Sequence, residues 1–291
     1  MKTFAPTKRS APPNLLNAHD LRTPRLPGGA PPLIFSGDGK EAPLRNHYKG
    51  QSLFLVLSGP STRELDLTVL KGRGLVSMAV NNAWTLLRPN FWVGVDPPSR
   101  FVDLGWLDPG ITKFVPACHI HSPIREFDGR VIGPSPLRVK DCPATWFFNR
   151  RDTFDPDTFW TEQGLEWGST TTGTDALGLK NSRSVMLPAL RLAHYLGFST
   201  LYLLGCDFHM EGDKPYAFSE RKSARGVSAN NALYKALTQR FESLVRKGLP
   251  LSVVNCNPAS ALRTFPFLPF REAIEIESAR FQRRTPANGW Y

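Results

Sequence analysis

The sequence is poor in cysteine and has no paired cysteine motif. Its 291 residues include 4 Cys, which lie far apart and never in a C-x-x-C pair: Cys118, Cys142, Cys206 and Cys256. Structural zinc sites and disulfide-stabilised folds need closely spaced or numerous cysteines, so the sequence favours neither class. We expect free thiols in a reducing, cytoplasmic compartment and no metal site.

Long apolar runs are missing as well. No stretch of the chain reaches the roughly 18 apolar residues of a membrane-spanning helix. The first nine residues, MKTFAPTKR, contain no apolar core of the kind that marks a secretory signal. The sequence therefore predicts neither a membrane span nor a secretory signal.

The two most familiar phosphate-binding fingerprints, G-x-x-x-x-G-K-[ST] and G-x-G-x-x-G, are also missing. Positive charge, in contrast, is abundant: the formal net charge is +11 at pH 7 and the isoelectric point is about 9.7. Such an excess favours polyanionic partners, whether nucleic acid, an anionic membrane surface or phosphorylated small molecules. Charge that serves only solubility is the alternative.

Short apolar runs alternate with turns and helical patterns along the chain. The runs are bounded by Gly, Pro, Asn or Asp and lie at 52–57, 75–80, 91–95, 112–116, 201–204 and 249–254. Apolar residues at helical spacing predict helices within 184–196 and 228–247, and Ser61 with Glu64 reads as the capping box of another helix. This alternation predicts an α/β fold, a single Rossmann-like domain with a parallel twisted sheet flanked by helices.

Composition divides the chain into three parts. Residues 1–48 are rich in proline and basic residues and predict an extended N-terminal arm, because paired prolines break helices. Residues 49–270 form the predicted domain, with a small lid within 100–165. Residues 271–291 read as a charged, peripheral tail.

Polar residues follow the ends of several predicted strands. In open α/β sheets, ligands bind beyond the carboxyl ends of the strands, so these residues are the candidates for a binding site. Glycine lets a backbone approach a ligand closely, and asparagine both donates and accepts hydrogen bonds. The alternative is ordinary turn chemistry. The candidates for nucleotide and donor binding are Ser58, Gly59, Pro60, Ser61, Asn81, Asn82, Asp96, Ser184 and Tyr216.

Three residues after the predicted strand at 201–204 are candidates for catalysis: Asp207, His209 and Tyr216. Histidine can transfer protons or contact phosphate near neutral pH, and a tyrosine hydroxyl can donate a hydrogen bond to a departing phosphate. A loop histidine without a role is the alternative for His209.

The order Ser-Gly-Pro-Ser, Asn-Asn, Gly-x-Asp-Phe and Tyr-Ala-Phe resembles the bacterial sialyltransferases of glycosyltransferase family 42. The resemblance spans about residues 52–262 and implies a CMP-activated sugar as co-substrate, with no metal and no resident cofactor. It also implies roles for individual residues: the ribose near Ser58 and Gly59, the phosphate near Asn81, the donor sugar near Asn82, the nucleotide near Asp96, the donor loop at Ser184 and the leaving phosphate at Tyr216.

Two positions depart from the family pattern. His209 stands where the family has a second tyrosine. Val227 stands where the family has its catalytic histidine, in a turn matched by Gly226-Val227-Ser228, and valine cannot accept a proton. Either His209 or Asp207 takes over, or the acceptor needs no strong base, or the reaction differs.

Three functions compete. The first is a metal-independent glycosyltransferase that moves a sugar from a nucleotide-sugar, CMP-linked by resemblance, to an anionic acceptor, with a modified base in DNA among the candidates. The second follows a looser likeness to pterin diphosphokinase-like proteins: a phosphoryl or diphosphoryl transferase that holds Mg²⁺ at Asp96 or Asp207. The third is a non-catalytic nucleic-acid-binding relative.

Overall fold

The computed structural model describes residues 32–72, 74–127, 132–151, 153–161, 164–166, 174–179, 184–212, 216–218 and 223–284. Most of the predicted N-terminal arm and the last residues of the predicted tail lie outside these ranges. In the part of the chain that is described, no helix has both the length and the apolar character needed to cross a membrane.

Eleven strands and four α-helices are found among these residues. The strands are β1 Ser52–Val56, β2 Val76–Val80, β3 Phe91–Val93, β4 Thr112–Pro116, β5 Pro123–Phe127, β6 Ile132–Arg138, β7 Thr145–Phe148, β8 Arg150–Arg151, β9 Leu165–Glu166, β10 Thr200–Leu204 and β11 Ser252–Asn255. The helices are α1 Asp103–Leu107, α2 Met186–Leu196, α3 Ala224–Lys247 and α4 Phe270–Arg284.

Seven of the strands form one parallel sheet in the order β11-β10-β1-β2-β3-β4-β7. The predicted α/β fold with a parallel sheet is therefore confirmed. From β1 the chain builds the sheet outward through β7, and it then returns to place β10 on the other side of β1. This reversal makes a topological switch point between β1 and β10, where open α/β sheets form their ligand crevice.

The sheet is covered on both faces, which explains its near-continuous apolar strands. All of Leu53–Val56 in β1 is 0 % exposed. The predicted stripes of α2 and α3 pack against the sheet through Leu192, Leu237 and Phe241, which are fully or almost fully buried. Helix α2 ends as predicted at Gly197, whose φ of 92° is accessible to glycine at little cost.

Described residues of the predicted arm and of the predicted tail are part of the folded domain, contrary to the prediction from composition. Ile34 and Phe35 are buried, and Phe35 exchanges backbone hydrogen bonds with Phe147 of β7, so the described part of the predicted arm belongs to the core. The predicted tail begins as helix α4, and it is not peripheral. Glu277 of α4 is buried and accepts a hydrogen bond of 2.8 Å from the Tyr202 hydroxyl of β10.

The segment 100–165 differs in part from the predicted lid. Strands β4 and β7 lie within it but belong to the central sheet, because their apolar residues pair in register, as in Phe114 with Trp146. The antiparallel hairpin β5–β6 is a separate sheet.

A buried lysine holds the amino ends of β4 and β7 together. Lys113 is 0 % exposed, and its ammonium group donates hydrogen bonds to the carbonyls of Asp108, Ile111 and Pro143 at 2.6, 2.9 and 2.9 Å. Burial lowers the pKa of Lys113 to about 8, which leaves the group charged at pH 7. All three N–H donors of the Lys113 ammonium group are therefore hydrogen-bonded to carbonyl groups.

We expect Lys113→Met to destabilise the domain because it leaves three carbonyls without their donor. A buried unsatisfied acceptor costs about 1–3 kcal/mol, partly offset here by the removal of a buried charge. A net loss of about 2 kcal/mol corresponds to a melting temperature roughly 4–8 °C lower in a domain of this size. Lys71→Met is the control, since Lys71 is exposed. Equal melting temperatures for the two variants would contradict this role of Lys113.

Candidate functional site

The carboxylate of Asp207 joins three strand ends at the switch point. Its Oδ2 accepts a hydrogen bond from the backbone N–H of Ser61, which follows β1, at 3.0 Å. Its Oδ1 accepts from the Ser61 hydroxyl and, at 2.7 Å, from Nδ2 of Asn257, which follows β11. Asp207 itself follows β10. The carboxylate therefore fixes the three turns that line this part of the crevice.

Gly59 is needed where these turns meet. Its N–H donates to the Gly205 carbonyl at 3.0 Å. A Cβ at position 59 would lie 2.4 Å from that carbonyl oxygen and 2.6 Å from Cγ of Asp207, closer than any side chain tolerates. Glycine is therefore required by the close approach of the backbone after β1 to the backbone after β10.

The capped helix predicted to start at Ser61 is wrong. The chain forms two short 3₁₀ turns instead, Pro60–Glu64 and Leu67–Lys71, and the first has no side-chain cap. The Ser61 hydroxyl and N–H both bind Asp207, so neither is available in the way a capping box requires. A backbone N–H at the start of the predicted helix is thus bound by the protein's own carboxylate.

Residues 216–218, which we call the Tyr216 strap, lie against the turn after β1. The Ala217 N–H donates to the Ser58 carbonyl at 2.9 Å. The guanidinium of Arg63 donates through Nε to the Ala217 carbonyl at 3.0 Å and through Nη2 to the Tyr216 carbonyl at 2.5 Å. The rings of Tyr216 and Phe218 stack with centroids 5.2 Å apart. The structure thus brings the Tyr216 strap to the turn that contains Ser58.

Tyr234 of α3 belongs to the same group of residues and was missed by sequence reasoning. Its ring stacks on Phe208, with centroids 4.9 Å apart, directly after Asp207. Burial raises the pKa of the Tyr234 phenol well above its usual range, and nearby Tyr216, Cys206 and Asp207 raise it further. The phenol is therefore protonated at neutral pH and can donate a hydrogen bond.

In the sequence, Tyr234 resembles one more apolar position beside Leu233 and Leu237 of α3. Only the packing of α3 against the end of β10 distinguishes it from them. The sequence offered one indication of a role for Tyr234: it is an aromatic residue with a hydroxyl group at the margin of an apolar helix stripe.

A second polar group lies at the ends of β2 and β3. Asn81 has φ of 44°, an uncommon conformation for a residue other than glycine. Its Nδ2 donates to Asp96 Oδ2 at 3.3 Å, and its Oδ1 accepts from the Val95 N–H at 3.1 Å. Arg100 donates to the same Asp96 oxygen at 3.0 Å. Asn82, the next residue, is half-buried.

This second group lies at the same edge of the sheet as Asp207, because β2 pairs with β1 and β3 pairs with β2. Asn81 and Asp96 use side-chain atoms to hold each other, so they shape the strand ends as much as they offer contacts to a ligand. Arg100, which sequence reasoning missed, places a positive charge beside Asp96.

His209 lies further along the loop after β10. Its Nε2 is 2.7 Å from Oε1 of Glu211, and its side chain is 52 % exposed. The next residue, Met210, is fixed to α3: its N–H donates to Asn231 Oδ1 at 2.9 Å, and its carbonyl accepts from Asn231 Nδ2 at 3.0 Å. An imidazole oriented by a carboxylate is thus presented to solvent on an anchored loop.

Ser184 has a local role in the described structure. The Ser184 hydroxyl accepts a hydrogen bond from the Met186 N–H at 3.2 Å, at the start of α2.

The predicted turn Gly226-Val227-Ser228 is not a turn: Val227 lies in the first turn of α3, with its N–H bonded to the Ser223 carbonyl at 2.9 Å. The helix extends four residues further toward the N-terminus than predicted because Ser223 caps it.

The carboxylates proposed for a metal are already engaged. Asp207 accepts from Ser61 and Asn257, and Asp96 accepts from Asn81 and Arg100. Within the described ranges, no group of three or more His, Cys, Asp or Glu residues is arranged to hold a metal ion.

Comparison with known proteins gave little. No protein-family model matches the chain, and no curated protein matches it. The solved structure of the MAf glycosyltransferase from Magnetospirillum magneticum AMB-1 is similar to 89 % of this chain, with 14 % identity and a TM-score of 0.45. The chain covers 42 % of the length of that protein.

We expect Gly59→Ala to disrupt the switch point. The added methyl group would push apart the ends of β1 and β10, and such overpacking typically costs about 1–3 kcal/mol. Thermal unfolding should show a clear loss of stability. Gly133→Ala is the matched control, since a Cβ there meets nothing within 4 Å. A Gly59→Ala variant as stable as the control would show that the turn has room for a side chain.

Proposed function

We propose that the protein is a glycosyltransferase that uses a nucleotide-sugar donor. One observation carries this proposal: the Tyr216 strap is fastened to the turn after β1 at the switch point, with the protonated phenol of Tyr234 close by. Hydroxyl donors at the carboxyl edge of a parallel sheet suit a leaving group that gains negative charge during the reaction.

The chemistry proposed for these residues is stabilisation of the departing phosphate. The bond between the anomeric carbon and the phosphate oxygen breaks, its electron pair stays on the phosphate, and the acceptor oxygen or nitrogen forms the new bond to the sugar. Tyr216 would donate a hydrogen bond to the phosphate, and Tyr234 would support it. The protein contributes mainly by orienting these donors before the reaction begins.

The donor is proposed to lie across the ends of β1, β2 and β3. Asn82 and Asp96 would offer amide and carboxylate groups to the sugar and the nucleotide, whereas the space that a Cβ of Gly59 would occupy is filled by Gly205 and Asp207. That the nucleotide is CMP rests on the resemblance in sequence.

His209 is the residue we propose as the base that takes the acceptor's proton. Asp207 is poorly suited to this task because its two oxygens accept three hydrogen bonds from Ser61 and Asn257. His209 lies two residues further along, exposed and oriented by Glu211. The net charge of +11 favours an anionic acceptor, and a modified base in DNA is one candidate.

A phosphoryl or diphosphoryl transferase is the competing proposal. It would place Mg²⁺ on Asp96 or Asp207. On the first carboxylate, Oδ2 already accepts from Asn81 and Arg100, and a cation there would lie beside the Arg100 guanidinium. On the second, both oxygens already accept hydrogen bonds from Ser61 and Asn257. The described donor set therefore fits a metal-independent transfer better.

A thermal-shift panel of CMP, UMP, UDP, GDP and ATP tests the donor class. We expect CMP to raise the melting temperature most. A ligand at 100 times its dissociation constant stabilises the folded state by about 2.7 kcal/mol, which is readily measured. A larger shift with another nucleotide would replace CMP as the donor's nucleotide, and no shift with any of the five would argue for the non-catalytic alternative.

Tyr216→Phe tests the leaving-group role. We expect turnover of the nucleotide-sugar to fall roughly tenfold or more, the scale of one lost hydrogen bond in the transition state, with the melting temperature unchanged. Tyr48→Phe is the control: its half-buried ring stacks on Phe198 and packs against the hydrophobic core. Turnover unaffected in Tyr216→Phe would rule out the phenol as a donor to the phosphate.

The same turnover assay in EDTA separates the two transferase proposals. A glycosyl transfer assisted by Tyr216 and His209 should keep its full rate when divalent cations are removed. A phosphoryl transfer through Mg²⁺ should stop, and restoring Mg²⁺ should restore it. Loss of the rate in EDTA would therefore reject the metal-independent mechanism.

A further inference from the structure

Arg63 makes two of the three backbone contacts described between the Tyr216 strap and the turn after β1. Its Nε and Nη2 reach the carbonyls of two successive residues, Ala217 and Tyr216. The third contact is the hydrogen bond from the Ala217 N–H to the Ser58 carbonyl. One planar guanidinium therefore spans a peptide unit of the strap, a fork geometry that lysine cannot reproduce.

The position of Arg63 links this contact to the proposed donor site. Arg63 lies in the 3₁₀ turn Pro60–Glu64, which also contains Ser61, the residue bound to Asp207. A shift of this turn would thus move both the Asp207 contacts and the strap. The backbone that carries Tyr216 is thus joined to the backbone at Ser58 through this turn.

Arg63 also places a positive charge beside the Tyr216 strap. Both of its recorded contacts are to neutral carbonyl groups, and across the described ranges no carboxylate forms an ion pair with it. Hydrogen bonds to neutral carbonyl groups leave the positive charge of Arg63 in place. A negative charge that develops beside Tyr216 would be attracted to it.

We propose that Arg63 is a positioning residue for the transfer reaction, which holds the Tyr216 phenol in place by clamping the strap to the donor turn. The inference rests on the proposed function, since it assigns Tyr216 to the leaving phosphate. Neither the sequence patterns nor the resemblance assigned a role to Arg63.

Two substitutions separate the clamp from the charge. Arg63→Lys keeps the positive charge but cannot bridge two carbonyls, so kcat should fall roughly 10- to 100-fold while KM for the nucleotide-sugar changes little. Arg63→Gln removes both, and KM should rise as well. The substrate in this assay is a CMP-linked sugar, and release of CMP is measured.

A double-mutant cycle tests whether Arg63 acts through Tyr216. Once Tyr216→Phe has removed the hydroxyl, Arg63→Lys should cost little further in kcat, because the group that it positions is gone. Independent losses that multiply in Arg63→Lys/Tyr216→Phe would overturn the proposal. Arg271→Lys is the control, since Arg271 is exposed on α4 and pairs only within its helix in the described structure, with Glu275.

Hydrogen exchange at the Ala217 amide gives a readout that does not depend on turnover. We expect this amide to exchange at least about tenfold faster in Arg63→Lys than in the wild type, because the strap opens more often. Unchanged exchange would refute the clamp even if activity fell. If the wild-type protein turns over no nucleotide-sugar, the proposed function fails, while the exchange experiment still decides whether Arg63 holds the strap.

Discussion

The Asp207 carboxylate is the interaction on which the rest of the site depends. It draws together the chain after β1, β10 and β11 through Ser61 and Asn257, and this contact demands glycine at position 59. A charged group at such a junction is stable because each of its oxygens accepts hydrogen bonds. The crevice at the switch point is therefore shaped by an internal anion, and ligands must bind around it.

The aromatic residues near this junction complete the arrangement. The Tyr216 strap is held by the hydrogen bond from the Ala217 N–H to the Ser58 carbonyl and by those from the Arg63 guanidinium, and Tyr234 is held on α3 by its stack on Phe208. Such groups are fixed before a substrate arrives, so the reaction would not have to pay for orienting them. This preorganisation is the physical basis of the proposed transfer reaction, in which hydrogen-bond donors stabilise the leaving group.

The strands and the longer helices were predictable because their apolar periodicity is strong and local. The helix after Ser61 was predicted wrongly because a distant carboxylate, Asp207, competes for the hydroxyl and N–H that would have capped it. The peripheral tail was wrong for a similar reason: Glu277 reads as a surface charge until the Tyr202 hydroxyl of β10 binds it. In each case a long-range contact outweighed a local preference.

The sequence by itself determined the α/β alternation, the buried strands and the polar residues that follow them, because these depend on spacing along the chain. Only the tertiary structure decided that β10 returns beside β1, that Asp207 binds the β1 turn, and that Tyr234 and Arg63 join Tyr216. Strand order and contacts between different elements leave no periodic pattern in the sequence, because they are selected by the packing of the whole domain.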